Sequence, residues 1–217
     1  MKKHITTWLA IFISLLPIVY LAIIWKSLPQ MVPVHFNSKM EPDRMGDKGE
    51  LWIACGVLAG VSMAVYFLFQ NIHRIDPKRK GRKPSANFIK LGFGIVVFIA
   101  AINFLLIQMS RQIMAIQNLL FPLLGLLFAF IGNYMITIQP NYFAGIRLPW
   151  TLSDDENWRK THQLGGKLWF GGGLLIAIVC FFLPTETAFI FFLIVMVIII
   201  IIPVVYSYRF FKKHSSF

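Results

Sequence analysis

The sequence predicts an all-α fold, a polytopic membrane bundle of six transmembrane helices whose N and C termini both lie in the cytoplasm. Of the 217 residues, 57% are hydrophobic and only 14% are charged, against about 25% charged residues in an average soluble domain. Six uncharged apolar runs are long enough to cross a bilayer, and the basic residues are concentrated in alternate connecting segments. This composition excludes a water-soluble globular enzyme and indicates a multi-pass membrane protein.

The six predicted spans contain no Lys, Arg, Asp or Glu. At about 1.5 Å rise per residue, roughly 20 residues cross a hydrocarbon core of about 30 Å. The fifth run is short, so we expect residues 164–167 to extend it while the lysine reaches back to the interface. The first run is too long for the apolar core of a signal peptide, which indicates an uncleaved anchor. The runs are Ile5–Trp25, Leu51–Gln70, Leu91–Met109, Asn118–Ile138, Leu168–Pro184 and Thr187–Tyr208.

The distribution of basic residues predicts the orientation of the bundle. Counted on alternate sides of six spans, 16 Lys and Arg residues lie on the side of both termini and 5 lie on the other side. Cytoplasmic segments carry the excess of basic residues, so residues 71–90 and 139–167 are predicted to be cytoplasmic. The formal net charge of +12 then faces the cytoplasm, where it would attract anionic lipid head groups. We therefore expect no direct binding of nucleic acid.

The spans themselves contain few polar side chains. Gly56, Gly60 and Ala64 form a stripe of small residues that predicts close helix packing inside the bundle. Asn103 and Gln108 are amides suited to interhelical hydrogen bonds. Ion-coupled transporters usually keep ionisable residues at mid-depth, so their absence from these spans counts against that class.

The outer segment between the first two spans is too specific for a simple connector. Alternating apolar residues around two prolines favour an extended backbone that projects His35-Phe36-Asn37, and Pro42-Asp43 predicts a turn. Either a lid on the helix ends or a recognition surface for an extracellular molecule fits this pattern. A cation site of His35, Asp43 and Asp47 is disfavoured, and we expect no metal or cofactor. The candidate recognition residues are Pro33, His35, Phe36, Asn37, Pro42 and Asp43.

The inner segment predicts a short interfacial helix between the fourth and fifth spans. Ser153 with Glu156 fits a capping box, and Gly165-Gly166 is suited to break the helix. Trp158 on this helix is suited to the membrane interface. His162 is expected to be a hydrogen-bonded histidine rather than a catalyst.

Arg147, which precedes this helix, has three possible roles. It would pair with lipid phosphate, or bind helix-end carbonyls together with two asparagines, or contact a protein partner. The candidate motif residues of the segment are Asn133, Asn141, Gly145, Arg147, Pro149, Trp150, Thr151, Trp158 and His162.

These residues resemble the C-terminal signature of the SdpI family of bacterial membrane proteins. The resemblance rests on the string from Gly145 to Leu152, Gly-Ile-Arg-Leu-Pro-Trp-Thr-Leu, with Gly132-Asn133, Asn141, Trp158 and Thr161-His162. The outer segment is similar to the N-terminal domain often fused to that family, through Leu28-Pro29, Val32-Pro33, His35-Phe36-Asn37 and Pro42-Asp43. Met40 stands where that domain has glycine, so its turn must be made differently.

The resemblance implies an immunity protein of the bacterial cytoplasmic membrane, with one three-span region at residues 1–110 and another at residues 111–217. Such a protein gives resistance to a secreted, cannibalism-type peptide toxin. A second implied role is that of a receptor that recruits a cytoplasmic transcriptional repressor to the membrane.

Two other hypotheses remain from the residues alone. A transporter or flippase for a hydrophobic peptide or lipid would need a polar cavity at mid-membrane, for which Asn103 and Gln108 are the candidates. A purely structural membrane protein is the third hypothesis. No nucleophile, metalloprotease, P-loop or dinucleotide motif is present in the sequence, so we expect no enzyme activity.

Overall fold

In a computed structural model, the chain is described over residues 3–37, 39, 41–78, 85–111 and 119–214. Met40 and the basic residues Lys2, Arg79, Lys80, Arg82 and Lys83 lie outside these ranges. Within them, the elements in chain order are α1 (Lys3–Ile24), a 3₁₀ turn (Trp25–Ser27), β1 (Met31–Phe36), β2 (Pro42–Asp47), α2 (Glu50–Ile75), α3 (Ala86–Ser110), α4 (Leu120–Met135), α5 (Pro149–Ser153), α6 (Asp155–Phe182) and α7 (Thr185–His214).

The helical bundle predicted from the apolar runs is confirmed. In the described residues, α1, α2, α3, α6 and α7 are each long and apolar enough to cross a membrane. The predicted fourth span corresponds to α4, an apolar helix of 16 residues, which is shorter than the roughly 20 residues of a full crossing. The count of six spans and the position of the termini therefore stay predictions.

The described helices form two groups, and the main contact between helices of different groups is that of α3 with α4. α1, α2 and α3 pack on one another, α6 packs on both α4 and α7, and α3 contacts α4 between the groups. Because α2 has 26 residues, it is about 39 Å long. This helix begins beside the β-hairpin and ends at the opposite end of the bundle. The end of the bundle at which the hairpin lies is called the hairpin end.

The outer segment departs from the all-α prediction because it forms an antiparallel β-hairpin. Met31 pairs with Asp47 and Phe36 pairs with Pro42, so the extended backbone predicted around the prolines is β1. The predicted turn at Pro42-Asp43 is wrong, since both residues belong to β2. The turn lies earlier, where Asn37 Oδ1 accepts hydrogen bonds from the N–H groups of Lys39 (2.9 Å) and Glu41 (3.0 Å). Proline is tolerated as the first residue of a strand.

The predicted short interfacial helix is also wrong, because α6 continues without a break from Asp155 to Phe182. Its N-cap is Asp154 rather than Ser153. Asp154 Oδ1 accepts hydrogen bonds from the N–H groups of Glu156 (2.8 Å) and Asn157 (3.2 Å). The one short helix between α4 and α6 in the described residues is α5, with five residues.

Glycines hold α4 against α6 at backbone contact. A Cβ atom added to Gly132 would lie 2.4 Å from the Phe170 nitrogen, and one added to Gly173 would lie 2.3 Å from the Ala129 nitrogen. Gly166, which we expected to interrupt a helix, lies in the same contact, since its Cβ would be 2.8 Å from the Gly132 carbonyl oxygen. These glycines are small residues that permit close approach, as in other membrane helix pairs.

The stripe of small residues predicted on α2 does not pack inside the bundle. Gly56, Gly60 and Ala64 are exposed, and a Cβ atom added to either glycine would have no neighbour within 4 Å. The spacing on α2 suits helix packing, but the close packing of the described helices uses the glycines of α4 and α6 instead.

Candidate functional site

The motif loop, residues Gln139–Leu148, is folded around the buried side chain of Asn141. Asn141 Oδ1 accepts hydrogen bonds from the N–H groups of Phe143 (2.8 Å) and Ala144 (2.7 Å). Its Nδ2 donates to the carbonyls of Gln139 and Ala144, each at 2.9 Å. The amide therefore satisfies both of its donors and both acceptor positions inside the loop.

His162 of α6 lies directly beneath Gly145. Its Nε2 accepts a hydrogen bond from the Ile146 N–H (2.9 Å), and its Nδ1 donates to the Trp158 carbonyl (2.8 Å). Both ring nitrogens are thus used by the backbone, which specifies the neutral ring with the proton on Nδ1. Gly145 has φ +109°, and a Cβ there would lie 2.3 Å from His162 Nε2. The ring supports the loop and has no nitrogen left for proton transfer.

The sequence predicts Trp158 at the membrane interface. This prediction is wrong, because the side chain is buried in the protein, with 1% of its surface exposed. Its Nε1 donates to the Ile138 carbonyl (2.8 Å), and its ring stacks on His162 with centroids 4.0 Å apart. The motif loop covers the indole, which local helical spacing does not reveal. Trp158 therefore ties α6 to the chain that follows α4.

Thr151 connects α5 to the motif loop. Its buried hydroxyl donates to the Ile146 carbonyl (2.8 Å) and accepts from the Leu148 N–H (2.9 Å). Pro149 begins the helix, where its missing N–H leaves no additional unpaired donor.

Trp150 and Asn157 attach α5 and α6 to α7 at Ser207. Trp150 Nε1 donates to Ser207 Oγ (3.0 Å), and Asn157 Nδ2 donates to the Ser207 carbonyl (3.0 Å). Asn157 Oδ1 also accepts from the Thr161 hydroxyl (2.9 Å). Sequence reasoning missed Asn157 and Ser207, because nothing in their local pattern joins positions 50 residues apart.

Asp76, directly after α2, holds the motif loop from the other group of helices. Its carboxylate is buried, and Oδ2 accepts from the Tyr142 N–H while Oδ1 accepts from the Lys78 N–H, both at 2.8 Å. Lys78 Nζ donates to the Leu152 carbonyl and lies 5.8 Å from the Tyr142 ring centroid. Sequence reasoning counted these two residues only as charges. The available signal was Asp76-Pro77 after a helix, since aspartate there commonly binds backbone N–H groups.

Arg147 and Asn133 do not bind the helix ends as one of the predicted roles required. Arg147 Nη1 donates to the Tyr142 carbonyl (2.6 Å) within the motif loop, and its side chain is exposed. Asn133 is exposed on α4. Asp76, Thr151 and His162 attach the motif loop instead, which leaves the Arg147 guanidinium accessible to a partner.

The hairpin contacts both groups of helices at the opposite end of the bundle. The Ser110 hydroxyl of α3 donates to the Pro33 carbonyl (3.1 Å). Phe36 packs against the core formed by α3, α4, α6 and α7, and Lys39 Nζ lies 3.7 Å from a carboxylate oxygen of Glu186. The hairpin is therefore docked on the helix ends. This is the arrangement that the lid hypothesis expected.

The outer surface of the hairpin presents a pair of polar side chains. His35 Nδ1 lies 2.5 Å from Asp43 Oδ1, with 65% and 42% of their side chains exposed. Asp47 instead accepts hydrogen bonds from Gln30 and the Gly49 N–H, so it does not join them. Pro42 is exposed beside this pair. In the described part of the chain, no three His, Cys, Asp or Glu side chains are arranged to hold a metal ion.

Comparison with known proteins finds a match for the region of the motif loop and another for the region of the hairpin. Residues 137–207 match the SdpI/YfhL protein family, and residues 12–59 match a domain of unknown function, DUF1648. The protein named Immunity protein SdpI, from Bacillus subtilis (strain 168), is 25% identical over 186 residues, which cover 84% of this chain and 83% of that protein. No solved structure matches. The first match contains the motif loop and the second contains the hairpin, which confirms the resemblance stated from the motifs.

Proposed function

We propose that this chain, a multi-pass membrane protein of the SdpI family, protects the bacterial cell that makes it from a secreted peptide toxin. The observation that carries the proposal is the likeness to Immunity protein SdpI over 84% of the chain. We propose a function of binding rather than catalysis, which is supported by the use of both ring nitrogens of the motif histidine in hydrogen bonds to the backbone. The toxin meets the hairpin end, and the motif loop lies at the cytoplasmic end.

The orientation and the span count are part of this proposal. The excess of basic residues on the motif-loop side supports a cytoplasmic location for both termini. α4 then serves as the fourth crossing, with chain beyond its 16 helical residues completing the distance. This arrangement divides the chain into an N-terminal region, residues 1–110, and a C-terminal region, residues 111–217.

We further propose that the accessible Arg147 contacts a cytoplasmic repressor or anionic lipid head groups. The motif loop around it is fixed by Asp76, Trp158 and His162, so the guanidinium projects from a rigid support. Its one hydrogen bond within the loop, to the Tyr142 carbonyl, leaves the other N–H donors of the guanidinium for an anionic partner.

The transporter alternative gains no support from its two candidate residues. Asn103 is buried and donates to the Cys55 carbonyl (3.2 Å). Gln108 instead lines an apolar groove near the hairpin end and accepts from the Tyr20 hydroxyl (2.7 Å). These two amides therefore do not line one polar cavity at mid-membrane.

Expression in a toxin-sensitive strain tests the proposal directly. Cells that make the full chain should survive the secreted peptide, and cells that make the same amount of an Arg147→Ala variant should not. Fractionation of a tagged repressor with and without toxin tests the signalling role separately. Sensitivity of cells with confirmed membrane insertion of the wild-type chain would reject immunity against that peptide.

A further inference from the structure

A groove of about 770 Å³ separates the two groups of helices near the hairpin end. Its walls are the last turns of α3, the first turns of α4 and the last turns of α6. Among the described residues that line it, Gln108 is the one polar side chain. Leu126, Ile178 and Phe181 are 45%, 61% and 57% exposed, so the groove opens sideways, toward the hydrocarbon of a surrounding membrane.

The length of the groove corresponds to part of one leaflet. On α3 it extends from Ala101 to Gln108, a rise of about 10 Å, whereas half of the hydrocarbon core is about 15 Å. Its upper limit is the end of α3 at Ser110. The groove is therefore in the acyl-chain region of the leaflet next to the hairpin.

A cation lies at the upper end of this groove. Arg111 follows the last residue of α3, and its Nη1 donates to the Tyr20 hydroxyl (2.9 Å) and to Gln108 Oε1 (3.3 Å). Both hydrogen bonds use one nitrogen of a guanidinium that has five N–H donors. The side chain is exposed, so the remaining donors are available to an anion at head-group level.

We propose that the groove binds one anionic phospholipid, with an acyl chain between α3 and α6 and the phosphate on Arg111. The walls favour an acyl chain over an extended peptide. A peptide backbone would bring N–H and C=O groups that need partners in a dry environment. The one polar wall residue, Gln108, already binds Tyr20 and Arg111 through its carbonyl oxygen. This inference is independent of the proposed immunity.

Native mass spectrometry of the full-length protein tests the proposal. The protein is titrated with phosphatidylglycerol or phosphatidylcholine of identical acyl chains. We expect one phosphatidylglycerol to bind in preference to phosphatidylcholine. Arg111→Gln should weaken this binding about tenfold, the value of one charge-assisted hydrogen bond. Lys26→Gln, which removes an exposed cation near the same end of the bundle, should not.

A second test of the proposal uses larger side chains that fill the groove. Leu126→Trp should reduce lipid binding, whereas Ile198→Trp on the exposed surface of α7, at 47% exposure, should leave it unchanged. Ala101→Phe gives an independent filling variant if Leu126→Trp is poorly folded. Equal binding of the two lipids, equal effects of Arg111→Gln and Lys26→Gln, or retention of lipid in both filling variants would overturn the proposal. Cross-linking of a secreted peptide to the groove, without lipid preference, would assign the groove to the peptide instead.

Discussion

Asp76 and Tyr142 are 66 residues apart in the chain, yet the Asp76 carboxylate accepts the Tyr142 backbone N–H at 2.8 Å. Asp76 follows the helix that begins beside the hairpin, and Tyr142 belongs to the motif loop, in the region that matches the SdpI/YfhL protein family. The two regions are therefore joined, at the end of the bundle opposite the hairpin, by a buried acidic side chain. A buried carboxylate is stabilising only while its hydrogen bonds are made.

Asp76→Ala is expected to destabilise the protein by about 2 kcal/mol, because it leaves the backbone N–H groups of Tyr142 and Lys78 without their acceptor. Thermal unfolding of the detergent-purified protein measures the loss. Asp155→Ala, which removes an exposed acid from the first turn of α6, is the matched control. Equal unfolding temperatures for wild type and Asp76→Ala would show that the contact contributes nothing.

Gly145→Ala is expected to destabilise the motif loop by at least about 1 kcal/mol. The Cβ atom of alanine makes the positive φ at this position sterically unfavourable. The added methyl group also meets His162 Nε2 at 2.3 Å. In the Gly145→Ala/His162→Ala double variant the clash is absent but the backbone strain stays, so the two losses should be less than additive. Gly171→Ala, with open space around its Cβ, should not destabilise. If the losses of unfolding free energy from Gly145→Ala and His162→Ala were strictly additive in the double variant, the predicted clash between residue 145 and His162 would be contradicted.

Gly173→Ala is expected to reduce thermal stability strongly, because its methyl group would meet the α4 backbone at 2.3 Å. Gly60→Ala, on the open face of α2, should leave the stability of the isolated chain unchanged or slightly raised. The comparison is made in the same detergent at the same protein concentration. The reverse order of stabilities would mean that α2, rather than the α4 and α6 pair, carries the close packing.

Arg147→Ala is expected to abolish protection while changing the unfolding temperature little, because the side chain is exposed and makes one hydrogen bond within the loop. Arg147→Lys should restore protection in part, since it keeps the charge but not the planar donors. Survival assays at matched membrane levels provide the measurement. Full protection by Arg147→Ala at normal expression would remove Arg147 from the proposed partner surface.

His35→Ala is expected to weaken protection with little loss of stability, because an exposed polar contact such as that of His35 with Asp43 contributes only about 0–1 kcal/mol. Lys39→Ala is the matched control, since it breaks another exposed pair of the hairpin, with Glu186. Survival is scored over a range of toxin concentrations. If both variants protect equally well, the His35 and Asp43 surface is not where the toxin binds.

Several features of this protein follow from local sequence. Uncharged runs of about 20 residues must satisfy their backbone groups internally in a bilayer, so they predict helices whatever their neighbours are. The prolines around Val32 predict extended backbone for a similar local reason. The Gly145–Leu152 string predicts the resemblance to the SdpI family because its residue order alone is distinctive.

The remaining features depend on contacts between distant parts of the chain. Local spacing identifies Gly60 and Gly166 equally as small residues, and only the crossing of α4 and α6 selects Gly166 for backbone contact. Likewise, the local sequence suits Trp158 to a membrane interface, and only its packing against the motif loop shows that it is buried. Asp76 is one of nine acidic residues in the sequence, and only its hydrogen bond to Tyr142 distinguishes it from the others. Hydropathy and backbone preference act within a few residues of a position, whereas burial and hydrogen-bond partners are set by which helices meet.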